Sequence, residues 1–478
     1  MPISCEKDLD LADCANDVRK IRNIAIIAHV DHGKTTLVDA MLRQSGTFRS
    51  NERIEERVMD SNDIEKERGI TIFSKNASFY YKEHKINIVD TPGHADFGGE
   101  VQRVLNMVDS VLLVVDAFEG TMPQTKYVLK KSLEAGHHPI VVVNKIDRPN
   151  CRPGQVVDMV FDLFVELNAA DDQLDFPVIF ASAKNGTSHY RLDDEHNDMV
   201  PLFETIIDHV GAAEGDPDRD ARFLISAVEY DNYIGKIGTG KLHHGRMRPG
   251  EEAILIKQNG EHVKGKISKI FEYSGLKKRE VPEALAGDIV AIAGFENIDL
   301  GDTIATVDDP EALPSIRIDE PTIAIQVQVN DSPFLGKEGS LVSSRHIWGR
   351  LERELETNPS LVIERSGTND SFTVKGRGEL QLSILIENMR REGHEFQVSR
   401  PRVIFRTIDG VRQEPMELAI IDAAEEFTGV VIEKLGRRKA ELVNMVQGSD
   451  GYTRLELKIP SRGLIGYRGE FLTDTRGT

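Results

Sequence analysis

The loop AHVDHGKTT at residues 28–36 has the residue types and spacing to hold phosphate. In a turn of the form G-x-x-x-x-G-K-[ST] between a strand and a helix, backbone N–H groups surround the phosphates and the helix N-terminus adds positive potential. Ala28 stands in place of the first glycine, and Asp31, His32, Gly33, Lys34, Thr35 and Thr36 make up the cradle. Lys34 is placed to reach the β and γ phosphates, and the Thr35 hydroxyl to ligate Mg²⁺. Further on, DTPGH at 90–94 ends a predicted strand on Asp90, whose carboxylate can hold Mg²⁺ through water, and offers the Gly93 N–H to the γ-phosphate. His94 follows, where an imidazole can orient or polarise the attacking water, a role worth about 10²–10⁴ in rate.

A third segment, NKID at 144–147, selects the base. Guanine presents N1–H and N2–H₂ together, a donor pair that the Asp147 carboxylate can accept. Asn144 suits the purine O6/N7 edge and the Lys145 stem suits packing over the ring. Adenine lacks the donor pair, and an unpaired buried carboxylate forfeits charged hydrogen bonds of about 1.5–3 kcal/mol each. GTP is therefore preferred over ATP. Ser182, Ala183 and Lys184, after a later apolar run, can add a backbone N–H to the base carbonyl, although as an isolated tripeptide they read equally well as a plain loop. In the polar stretch ERGIT at 67–71, Thr71 is suited to be a second hydroxyl ligand for Mg²⁺, present only when the γ-phosphate is bound. Such a segment is ordered by GTP and released by hydrolysis. Each motif alone has an ordinary explanation, a glycine turn or a packing histidine; together they describe one ligand.

The elements that must position these residues are legible around them. Apolar runs at 24–28, 86–90, 111–116, 140–144 and 178–181 alternate with helical patterns across 21–210, which reads as a parallel sheet wrapped by helices. GAAEGDPDRD at 211–220 is a linker. Residues 221–310 alternate in short strands with a hairpin signal at Asn259-Gly260, a small antiparallel barrel with glycines 235, 238, 240, 245, 250, 287 and 301 at its corners. Residues 317–399 follow the order βαββαβ of a ferredoxin-like unit, with helices at 341–356 and 379–391 and Trp348 packed in the core. Residues 400–478 read as a second such unit: strands at 403–407 and 417–421, a helix at 428–444, a strand at 454–459 and a helix at 464–472. No closing strand can follow before Thr478, so the last domain is expected to be incomplete and the chain a fragment. The fold class is thus multidomain: α/β, then β, then α+β.

Composition narrows the setting. With 59 Lys and Arg against 79 Asp and Glu the net charge is −20, which repels nucleic acid at long range. Any RNA contact must come from local patches, either Lys434, Arg437, Arg438 and Lys439 or Arg400, Arg402, Arg406 and Arg412; a solvated helix face is an equal reading of the first, with Glu433 and Glu441 nearby. Residues 1–20 are polar and acidic, with no apolar h-region, and are expected to form a flexible extension rather than a targeting peptide. Cys5, Cys14 and Cys151 lack metal or framework spacing, and no apolar stretch is long enough to cross a bilayer. A cytoplasmic monomer is expected.

AHVDHGKTT, ERGIT, DTPGHADF at 90–97 and NKIDRP at 144–149 resemble the translational GTPases, in which alanine at position 28 also occurs in the elongation factor G branch. QLDFP at 173–177, SPFLGKEG at 332–339, GRGELQLSILIENMRREG at 376–393, SRPRVIFR at 399–406 and IPSRGLIGYRGEF at 459–471 look like the BipA/TypA family. The likeness runs from about Arg22 onward, and there is no room after Val398 for the extra arm domain of elongation factor G. The resemblance implies a P-loop GTPase domain, a translation-factor β-barrel and two ferredoxin-like domains. It implies that Val30 and Ile70 gate His94, and that His94 becomes productive when the sarcin–ricin loop of the ribosome engages it. It further implies GTP/GDP and Mg²⁺ as ligands, guanosine tetraphosphate as a competitor to test, and a partner in the ribosome through its rRNA and tRNA. The associated roles are large-subunit assembly and growth in cold or stress. The other reading is an elongation-factor-type binding module in which hydrolysis only times release.

Overall fold

The computed structural model describes residues 17–29, 31–46, 63–68, 70–195, 197–231, 233–315, 320–358, 360–367, 370–447 and 451–477. Val30 and most of the acidic extension lie outside them. The extension's last residues are ordered: Val18–Lys20 form a 3₁₀ turn capped by Asp17, whose side chain accepts from the Arg19 N–H. The chain divides into two compact units at residues 318 and 319.

Among the described residues, the first unit opens with a seven-stranded sheet. Its strands are β1 (Ile21–Ala28), β2 (Asn76–Tyr81), β3 (His84–Asp90), β4 (Ser110–Asp116), β5 (Ile140–Asn144), β6 (Val178–Ser182) and β7 (Thr187–His189), in the order β2-β3-β1-β4-β5-β6-β7. The five expected runs, β3-β1-β4-β5-β6, are parallel, and β2 and β7 add antiparallel edges. Every residue of β1, β4 and β5 is buried, because both faces are covered. Ile24, Ile26, Leu112 and Val114 pack toward helices Lys34–Gln44 and Val200–His209, while Ala25, Ile27, Leu113 and Val115 pack toward helices Gly98–Leu105, Pro123–Glu134 and Pro153–Glu166. Alternate residues of each strand thus feed two cores. The parallel strands end on Ala28, Asp90, Asp116, Asn144 and Ser182, the rim where ligands bind in open α/β sheets.

Eight of the described strands of the barrel form an antiparallel sheet between Arg222–Asp231 and Thr303–Ala305 around Phe223, Ile225, Leu242, Leu255, Val290 and Phe295, and Arg246–Met247 pairs separately with Ala284–Leu285. Gly238 and Gly240, expected at corners, lie inside the strand Gly235–His244. A Cβ on Gly240 would stand 1.8 Å from the Leu224 carbonyl oxygen, so glycine there serves close strand approach beside a bulge at Ile225/Ala227.

In the second unit, Ile323–Val329 is flanked by Ser371–Gly376 and Phe396–Val398, with Val362–Arg365 beyond, and helices Ser344–Thr357 and Glu379–Arg391 complete the βαββαβ order. Trp348 stacks on Phe372 at 5.3 Å and carries the Arg365 guanidinium over its ring at 4.2 Å, half-buried at the edge of that core. The last domain departs from expectation. Its first strand is Met416–Ala424, the helix is shorter, Glu425–Arg437, and a strand, Glu441–Gln447, occupies what was read as helix. Lys439 adopts φ of 72°, which stops the helix, while Leu442, Met445 and Val446 mimic a helical apolar spacing on an exposed edge strand. The order is βαββα, with Tyr452–Pro460 central and helices Ser461–Leu464 and Tyr467–Asp474 after it. Residues 403–407 belong elsewhere: Arg402–Val403 joins the preceding sheet, and Arg406–Ile408, among the described residues, pairs only with Val411–Gln413. Among the described residues, no helix is long and apolar enough to cross a membrane.

Candidate nucleotide site

Four loops meet at the strand rim. The loop after β1 turns on Asp31 and Gly33, with φ of 63° and 90°, and delivers Lys34, Thr35 and Thr36 as the first turn of helix Lys34–Gln44. A Cβ on Gly33 would sit 2.5 Å from Asn144 Nδ2, so glycine is required by the neighbouring loop as well as by its own backbone. Lys34 Nζ donates to Thr71 Oγ1 at 2.6 Å and to the Thr91 carbonyl at 2.8 Å, and lies 2.5 Å from Asp90 Oδ1. The phosphate lysine and two of the three expected metal ligands therefore converge. Thr35, Thr71 and Asp90 are hard oxygen donors, the set Mg²⁺ takes alongside phosphate and water, and one carboxylate with two hydroxyls fits it. Among the described residues, no cluster of three or more His, Cys, Asp or Glu offers another metal site.

The segment carrying Thr71 is anchored by a residue that sequence reasoning passed over. Glu65, fully buried, accepts the Ile72 and Phe73 N–H groups at 2.9 and 3.1 Å and pairs with Lys75 at 2.8 Å. It sits in a short helix, Asp63–Arg68, within an otherwise polar stretch. Ile70 is half-buried in the same segment. Gly93 packs close to the loop after β1, where an added Cβ would lie 3.3 Å from the Ala28 carbonyl. His94 follows with its ring edge toward Phe97 and Nδ1 accepting from the Asp96 N–H at 3.2 Å. That bond leaves Nε2 as the nitrogen free to meet a water.

At the base end, the Asn144 amide is held between two loops. Its Nδ2 donates to the His32 carbonyl at 2.8 Å and its Oδ1 accepts from the Ala183 N–H at 3.0 Å, so it ties the phosphate loop to the loop after β6. Asp147 is exposed and its Oδ1 accepts from Ser182 Oγ at 2.6 Å, which joins the two base loops and orients the carboxylate; Lys184 is exposed beside them. Lys145, with φ of 64°, reaches back to the Asp31 carbonyl and pairs with Asp116 at 2.8 Å. Asp116 is a second unforeseen residue: fully buried at the end of β4, it also holds Arg148 and the Phe118 N–H. Burial opposes its charge, but the bonds from Lys145 and Phe118 hold the carboxyl below the usual range.

His32 contributes backbone to the cradle and side chain to the interior. Its ring is fully buried against the Val114 carbonyl, and burial drives the imidazole down to about 4 despite Glu119 3.4 Å from Nε2. The basic helix, read either as an RNA contact or as a solvated face, has three of its cations paired within its own domain. Lys434 pairs with Asp474 at 2.7 Å, Arg437 with Glu433 at 2.5 Å, and Arg438 with Glu470 and the Gly463 and Ile465 carbonyls.

Comparison with known proteins places the chain in a family. Residues 19–212 match the elongation factor Tu GTP binding domain, 235–305 the elongation factor Tu domain 2, and 411–478 the elongation factor G C-terminus. A solved structure from Thermus thermophilus shares the fold at a TM-score of 0.67 and 17% identity, covering 96% of this chain and 95% of its own. The large ribosomal subunit assembly factor BipA of Synechocystis is 55% identical over 96% of this chain and 76% of its own length. Those of Bacillus subtilis and Escherichia coli K12 are each 54% identical over 96% of this chain, covering 75% and 76% of theirs. With identity at that level across nearly the whole length, the chain belongs to the BipA family of translational GTPases.

Proposed function

We propose that this chain is a ribosome-directed GTPase that serves the assembly of the large ribosomal subunit in the cytoplasm. Its membership of a family whose named relatives are large-subunit assembly factors supports that role. The convergence of Lys34, Thr71 and Asp90 at one end of the rim is the observation that carries the chemistry. Asp147 accepts the guanine donor pair, with Lys145 beneath the ring and Ser182, Ala183 and Lys184 closing the loop around it; Asn144 acts by holding the loops. The N–H groups from Asp31 to Thr36, with that of Gly93, wrap the phosphates. Thr35, Thr71 and Asp90 would hold Mg²⁺, which would supply positive charge to offset the negative charge that develops on the phosphates during transfer. Lys34 then leaves Asp90 for the phosphates, and His94 positions water through Nε2, with Ile70 and Val30 acting as a gate that the ribosome opens. Loss of the γ-phosphate frees the Thr71 segment, and the protein leaves. Guanosine tetraphosphate, sharing the guanine and β-phosphate, competes for the same cradle.

His94→Ala tests the assignment. GTP affinity should stay within about twofold, while ribosome-stimulated turnover falls about 10²–10⁴-fold. Turnover that matches wild type on purified ribosomes would remove His94 from the chemistry. If the variant binds ribosomes but stalls assembly, hydrolysis is essential; normal assembly with the variant would mean that occupancy is the function.

A further inference from the structure

Between the two ferredoxin-like domains stands a hairpin that, among the described residues, pairs with no other strand: Arg406–Ile408 against Val411–Gln413. All six strand residues are exposed. Its turn, Asp409-Gly410 with φ of 52° and 78°, is the type that matches strand twist. An isolated two-stranded hairpin is marginal in water, and this one is pegged at its base by Arg406 to Glu320 and by Arg462 to Glu414 at 2.7 Å. It is held in place, yet it leaves Phe405, Ile408 and Val411 at 44%, 47% and 61% exposure.

Two further features indicate what covers it. The Arg412 guanidinium lies 4.0 Å over the Phe405 ring, a flat plate of aromatic and cation. Residues 399–413 hold four arginines against one aspartate in a chain of net charge −20. Arg400, Arg402 and Arg412 are paired with no carboxylate among the described residues, in contrast to the neutralised helix Glu425–Arg437. A partner matching both plate and charge has flat π faces strung on a polyanion. We propose that this hairpin, with Arg400 and Arg402, is a docking site for single-stranded RNA: an unstacked base lies on Phe405 and Arg412, and phosphates meet the arginines. The proposal deepens the ribosome-directed reading and rests on it.

The test is fluorescence anisotropy of labelled oligouridylate with the full chain, over a salt series. The wild type should bind. Phe405→Ala should weaken binding about five- to a hundredfold without changing the salt slope, and Phe405→Trp should restore it. Arg400→Ala, Arg402→Ala and Arg412→Ala combined should lower the slope of log affinity on log salt by about two, from roughly 0.7 per phosphate contact. Intrinsic GTP hydrolysis by the same variants should stay at the wild-type rate, which reports the fold and separates this proposal from the nucleotide site. No binding by the wild type, or oligouridylate binding that neither variant changes, overturns it. So does a loss of ribosome cosedimentation with oligouridylate binding intact, which would make the hairpin a reader of protein.

Discussion

His32 illustrates how one residue of a binding motif divides its duties. Its backbone belongs to the phosphate loop while its ring fills the space between that loop and the end of β4, with the Asp116 N–H directed at Nδ1 from 3.3 Å. Folding keeps the ring neutral down to about pH 4, whereas the unfolded chain protonates it near 6.5. The unfolded state therefore binds the extra proton as pH falls from 6.5 toward 4. The stability that His32 contributes is complete above about 6.5 and declines below it, by up to about 1.4 kcal/mol per pH unit. His137 and His243, also pushed by burial to about 4, act in the same direction, so the wild type has a composite acid limb. His32→Gln should flatten part of that limb in urea unfolding midpoints measured between neutral pH and pH about 4.5. Parallel limbs for variant and wild type would mean that the ring is already charged in the fold. None of this division was visible in AHVDHGKTT, because spacing identifies a loop and says nothing of which side chains turn inward.

At the scale of elements, strands and loops were readable wherever a motif has an obligatory geometry. The strand, glycine turn and helix around Lys34 follow from hydrophobic period and φ requirements, and so do the strand ends at Asp90 and Asn144. The misreadings fall where exposure removes the pattern: the helix at 428–444 absorbed an edge strand whose apolar residues face outward, and the strand expected at 403–407 is divided between Arg402–Val403 in the preceding sheet and a separate hairpin from Arg406 to Gln413. Glu65 was missed for a related reason, since one glutamate in a charged helix has no signature until its acceptors are placed. It fixes the backbone of residues 72 and 73 and so the approach of Thr71 to Lys34. Glu65→Ala leaves two N–H groups without their acceptor, at a cost of about 1–3 kcal/mol each where they stay buried. Because Thr71 is assigned to the γ-phosphate end, GTP should lose about tenfold in affinity while GDP changes by less than about twofold. Equal losses for both nucleotides in calorimetry would show that Glu65 supports the pocket as a whole.

On the scale of the first unit, the nucleotide sheet and the barrel are joined by a buried polar seam that no local pattern foretold. Lys85 of β3, fully buried, lies 2.7 Å from Asp288 and 3.0 Å from Glu272, both on the barrel. Asn87, two residues on, donates to Asp288 and to Asn23, and Lys241 reaches across to Asp109 at 2.5 Å. Burial works against the Lys85 charge, yet the two carboxylates outweigh it and hold the ammonium above its ordinary value. Antiparallel backbone bonds between Ser78 and Gly275 extend the seam to the sheet edge. The same strand ends on Asp90, so the seam fixes the barrel to the element that carries the carboxylate proposed to hold Mg²⁺. An apolar seam would bind as well but would tolerate sliding, whereas a buried cation with two anions accepts one register. Lys85→Met strands two buried acids and should cost about 3–5 kcal/mol, while adding Glu272→Gln and Asp288→Asn should recover most of it. Hydrogen exchange would localise the effect: faster exchange in His84–Asp90 and Lys269–Ser274 for the single variant, with near-normal protection in the triple. If the single variant keeps wild-type protection in both strands, the two domains are held by their apolar contacts and the ionic seam contributes nothing to their registry.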